Sequence, residues 1–102
     1  MESVTEYPFL FSVEAVVGQV EGRRPSARHA LLIFVTAADF EAAQRRAEGA
    51  ATGAGWMMVQ LKRGKPISGE PMGDEILDAA LETSLQNGSA IVVYTDELTP
   101  DA

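Results

Sequence analysis

The stretch Arg28-His29-Ala30-Leu31-Leu32-Ile33-Phe34-Val35-Thr36 decides the fold. From Ala30 to Val35 it is unbroken apolar sequence with neither Gly nor Pro. A strand with one wet face alternates apolar and polar residues. An uninterrupted run needs cover on both faces, or a place in the middle of a sheet. The run is short for a helix, and Ile33, Phe34, Val35 and Thr36 favour a pleated backbone. It reads as a central strand in which Leu32 and Phe34 are both packed.

On the N-terminal side, Phe9, Phe11, Val13, Ala15 and Val17 share one parity, while Ser12 and Glu14 lie on the other. That alternation marks a strand opened by Pro8 with one buried face. The pattern shifts at Gly18, as at a bulge. Gly22-Arg23-Arg24-Pro25-Ser26 is a turn by composition, so the two strands form an antiparallel hairpin.

On the C-terminal side, Thr36-Ala37-Ala38-Asp39 has the form of an N-cap with an acid three residues on. A helix follows to about Thr52, with Phe40, Ala43, Ala47, Ala50 and Ala51 on one side. Its nearly all-alanine face lets it lie close to a sheet. Gly49, Gly53 and Gly55 end it. Trp56 to Lys62 reads as a strand with Met57, Val59 and Leu61 on one face and Trp56, Met58 and Gln60 on the other. Arg63-Gly64 reads as a turn and Lys65-Pro66-Ile67-Ser68 as a short edge strand. A second helix runs from about Met72 to Gln86 and stops at Asn87-Gly88. Ala90 to Tyr94 is a short, buried last strand.

The order is β-β-α-β-(β)-α-β. Each helix has one apolar side, so the expected class is α+β: a mostly antiparallel or mixed sheet of four or five strands with two helices on one face. Arg28 to Thr95 would follow the order of ferredoxin-like folds if Lys65–Ser68 is a separate strand. The 102 residues make one domain. Its ordered core is expected over 7–95, with loose acidic ends at 1–6 and 96–102.

The net charge of −7 is segregated. Residues 1–22 carry four acids and no base, 23–65 carry all eight bases with three acids, and 66–102 carry eight acids and no base. An acidic whole repels phosphate backbones, which argues against general nucleic-acid binding. Arg23, Arg24 and Arg28 gather at one turn, and Lys62, Arg63 and Lys65 at another. A right-handed crossover would make the central strand and the Trp56 strand parallel and put these turns at opposite ends of the sheet. Cysteine is absent, which removes disulfides, thiolate nucleophiles and Cys-ligated metals. No basic segment leads into an apolar one as in a signal peptide, and no run approaches the ~20 apolar residues of a membrane span. A cytoplasmic location is the expectation.

The candidate chemistry is sparse. His29 is the single histidine and lacks the partners that a catalytic constellation requires. Gly49 to Gly55 is rich in glycine but closes a helix, whereas a phosphate cradle opens one. Asp74, Glu75, Asp78 and Glu82 fall at helical spacing. They could hold a hard cation, but they read better as a solvated face or as a docking face for a basic protein. Trp56 and Met58 are either an exposed patch for a second copy or the protein's own core.

No cofactor, metal or catalytic residue is therefore assigned. The reading is a small acidic interaction module, an accessory subunit or an inhibitor or immunity-type protein for a basic partner, expected to form a homodimer. The alternative is a small-molecule-binding domain or minor enzyme with a pocket between sheet and helices.

Overall fold

The computed structural model describes residues 5–20 and 22–97. The elements are β1 (Tyr7–Val17), β2 (Arg28–Ala37), α1 (Phe40–Gly53), β3 (Trp56–Pro66), α2 (Glu75–Asn87) and β4 (Ser89–Glu97). The four strands form one sheet in the order β3-β1-β2-β4. Every neighbouring pair is antiparallel. The α+β sandwich expected from the sequence is borne out, with a four-stranded antiparallel sheet and two helices packed on it.

The hairpin forms as read. β1 and β2 pair without a register shift from Tyr7 opposite Ala37 to Val16 opposite Arg28, and together they make the centre of the sheet. Phe9 faces Val35, Phe11 faces Ile33 and Val13 faces Leu31, all buried. The alanines Ala43, Ala47 and Ala51 bring α1 down onto this set. Phe40 lays its ring 6.1 Å from Phe9 and 5.5 Å from Phe11. Burying each large side chain here contributes about 1.5–3 kcal/mol. Among the described residues, the buried apolar side chains of Phe34 in β2 and Leu81 in α2 stand outside that cluster. Phe34 pairs with Leu10, on the opposite parity to Phe9 and Phe11. The unbroken apolar run is thus explained by cover on both parities, although Leu32 is only half-buried.

β2 and β3 are both antiparallel to β1, hence parallel to each other, and α1 crosses over between them. The two basic clusters do fall at opposite ends, because Val17 pairs with Trp56 and Phe9 with Pro66, although the second lies within β3 and not in a turn.

Several local boundaries differ from the sequence reading. Asp39, not Thr36, caps α1, accepting from the Ala42 amide at 2.8 Å. Thr36 is held in the sheet, where its amide donates to the Gly88 carbonyl at 3.0 Å. Arg63-Gly64 is not a turn, and Lys65–Ser68 is not a strand of its own. β3 runs straight through to Pro66, and the ferredoxin-like order falls with that fifth strand. Gly64 permits this because it sits opposite Phe11, whose ring occupies the space a Cβ would need.

α2 starts at Glu75 rather than Met72, capped by Asp74. Gly88 closes it at φ 97°, in the left-handed region that favours glycine. α2 lies along β4 and β2, with Leu81 and Ser84 buried. β4 is longer than read, and its residues Ala90 to Val93 are half-buried at a sheet edge. Glu6, read as part of a loose end, pairs with Arg46 at 3.2 Å and accepts from the Thr36 hydroxyl at 3.3 Å. Residues 1–4 and 98–102 lie outside the described residues.

Candidate interaction surface

The four acids of the second helix play two different parts. Asp74 accepts from the Leu77 amide at 3.0 Å as the N-cap. Asp78 accepts from the Met72 amide at 2.6 Å and so fastens the incoming loop. These two carboxylates are engaged in building the helix start. Glu75 and Glu82 are exposed. Glu82 takes only a long 3.5 Å contact from the Gln86 amide group.

Among the described residues, the ion pairs join acids and bases from elsewhere in the fold. Arg28 and Lys62 reach Glu14 from either side, each at 3.8 Å. Arg45 meets Glu41 at 3.4 Å, and Arg46 meets Glu6. Among the described residues, Arg28, Arg45, Arg46 and Lys62 pair with acids outside α2, and no ion pair joins an acid of α2 to a base. Exposed pairs of this kind add little stability. Their consequence here is electrostatic, because they hold these bases away from Glu75 and Glu82, while Arg23 stands on the groove side of α2.

The acidic helix borders an open groove. Ile76, Ala79, Ala80 and Thr83 of α2 face Ala90 to Val93 of β4, with Arg23 at the rim. Ile76 is 68% exposed, which is unusual for an isoleucine on a helix with an inward face. Leu77, Leu81 and Ser84 point inward, so helical periodicity gives α2 three sides: inward apolar, groove, and acidic.

Trp56 and Met58, read together, are separated by the structure. Trp56 is 3% exposed and completes the core on the α1 side, with its ring 5.7 Å from that of His29. Met58 is 67% exposed and sits at φ 50°. The register between β1 and β3 shifts at Glu14/Val16, which breaks the simple alternation through Met57 and Met58. Met57 is consequently exposed as well, rather than sharing a face with Val59 and Leu61.

His29 is buried, with Nδ1 at 2.9 Å from the Tyr94 carbonyl. Since a carbonyl only accepts, Nδ1 carries the proton. Gly53 and Gly55 close α1 as read, whereas Gly49 lies within the helix. The Gly55 carbonyl accepts from the Gly18 and Gln19 amides at 3.0 and 2.9 Å, and a Cβ on Gly55 would strike the Gln19 backbone.

At the other end of the sheet, Arg46 bonds the Thr36 carbonyl and Glu6 beside an open cleft bordered by Leu85 to Ser89. Among the described residues no three His, Asp or Glu side chains gather as a metal set, and no helix is long and apolar enough to cross a membrane. Sequence reasoning missed the groove because it lies between two elements that the sequence shows only separately. No signal in the sequence marks it, because the apolar periodicity of α2 puts Ile76 inward with Leu77 and Leu81, and only the structure leaves it exposed.

The chain matches no family model, no curated protein and no solved structure.

Proposed function

We propose that this protein is an interaction module, an accessory subunit or an inhibitor or immunity-type protein, that binds a basic protein partner through the α2 side. The observation that supports it is the pair Glu75 and Glu82, exposed and without a base among the described residues, on a helix fixed by Leu81 and Ser84. A rigid row of like charges repels itself and loses the few tenths of a kcal/mol that mixed i,i+4 pairs provide. The same row accelerates encounter with an oppositely charged surface. Purification from the native host under low salt, followed by comparison of wild type with Glu75→Lys/Glu82→Lys, tests this. A stoichiometric protein released by the double variant supports it. A partner retained equally by both removes the charge argument.

A homodimer is a further proposal. With Trp56 in the core, its apolar contribution would come from Met57 and Met58. The small-molecule reading is favoured by one feature, the cleft beside Arg46, and a compound retained there through native purification would support it.

A further inference from the structure

We infer that the partner adds a strand to the outer edge of β4, as an extended segment alternating basic and apolar residues. This rests on the interaction reading above and names the mode and the partner's chemistry.

The two edges of the sheet are built differently. β3 is blunted by the devices that prevent strand addition. Its register shifts, Met58 adopts a left-handed φ, Lys62, Arg63 and Lys65 are exposed, and Pro66 has no amide to offer. β4 carries none of these over Ser89 to Val93. Its pairing with β2 is regular there, and residues 89–97 contain no Lys, Arg or Pro.

The register also says which groups face outward. Thr36 donates to the Gly88 carbonyl, so Thr36 and Gly88 form a hydrogen-bonded pair. Antiparallel pairs alternate between bonded and non-bonded types. Ala90 and Val92, opposite Phe34 and Leu32, therefore bond inward. Ile91 and Val93 turn their N–H and C=O groups out, where among the described residues no strand meets them.

The groove supplies selectivity. Successive side chains of an added strand point to opposite faces. One set would enter the groove against Ile76, Ala80 and Thr83, where the lining is largely apolar. The flank of α2 next round the helix presents Glu75 and Glu82 to basic side chains. Charge also chooses against a second copy, because each chain carries −7 and would bring its own acidic helix to the same edge.

The test is amide hydrogen exchange read by NMR on the full chain, with a short capped peptide alternating lysine and valine as the probe. A matched peptide alternating glutamate and valine is the control. The expected result is slowing of the Ile91 and Val93 amides by at least about tenfold with the lysine peptide and not with the glutamate peptide. Glu75→Lys/Glu82→Lys should cancel that slowing while leaving the Phe11 and Ile33 amides as protected as before. Equal slowing by both peptides, slowing confined to β3, or none at all overturns the inference. Slowing that needs no peptide and rises with protein concentration assigns the edge to a second copy and also overturns it. If a native partner binds while Ile91 and Val93 stay unprotected, strand addition fails and the interaction reading survives.

Discussion

His29 donates from Nδ1 to the backbone carbonyl of Tyr94 at 2.9 Å, which ties β2 to β4 across the point where their register shifts. At 2% exposure the imidazole lies in the interior, its ring T-shaped against that of Trp56. Replacing it by an apolar residue leaves a carbonyl without its donor, at a cost of about 1–3 kcal/mol. His29→Leu should therefore lower the unfolding free energy by that amount, seen as a lower urea midpoint at unchanged slope. An unchanged midpoint would mean that the bond contributes nothing to stability.

Gly64 is needed for space. Its Cβ would overlap the Phe11 ring, which is fully buried and held by Phe40. Overpacking of such a site costs about 1–3 kcal/mol. Gly64→Ala should be destabilised by that much, whereas Gly49→Ala, where a Cβ meets open space in a helix, should be neutral or stabilising. Equal midpoints for the two variants would remove Phe11 as the reason for the glycine.

Leu32 and Phe34 sit two apart in the same run, yet they should respond differently. Phe34 is 0% exposed and Leu32 is half-buried. Phe34→Ala should cost about 3–5 kcal/mol and Leu32→Ala clearly less. Guanidinium titrations of both variants give the comparison, and losses of the same size would place the two side chains in equivalent surroundings.

Met58 holds a left-handed conformation without being glycine. That conformation costs an L-residue about 1–2 kcal/mol, part of which a glycine returns as lost chain entropy. Met58→Gly should raise the melting temperature slightly. Met58→Val should lower it, because a branched side chain tolerates positive φ least. The reverse order would place the strain elsewhere.

These cases show how much of the molecule was legible in its sequence. Elements with a clean period were legible. The alternation of β1, the unbroken run of β2, the alanine face of α1 and the Asn87-Gly88 stop each state a local preference that the fold keeps. What was lost depends on partners distant in sequence. Arg63-Gly64 has the composition of a turn, and only the Phe11 ring across the ladder shows why glycine stands within a strand. The sequence pattern puts the cap at Thr36 with Asp39 as the acid after it, and only the pairing of Thr36 with Gly88 shows that Thr36 belongs to the sheet and Asp39 caps the helix. The Trp56–Met58 parity failed because one residue with positive φ re-aims its neighbours. At the candidate surface the acids themselves were legible. Their division into helix-building Asp74 and Asp78 and exposed Glu75 and Glu82 was not, since it turns on where the helix begins.

Stopped-flow association with the partner recovered from the native host tests whether exposed Glu75 and Glu82 attract a basic protein. Rates are taken for wild type and Glu75→Lys/Glu82→Lys across a range of salt, with folding of the variant checked by its denaturation midpoint. The double variant is expected to associate slower by about tenfold or more at low salt, at a rate that depends far less on salt. A well-folded double variant with the same rates and the same salt slope as wild type would contradict that attraction.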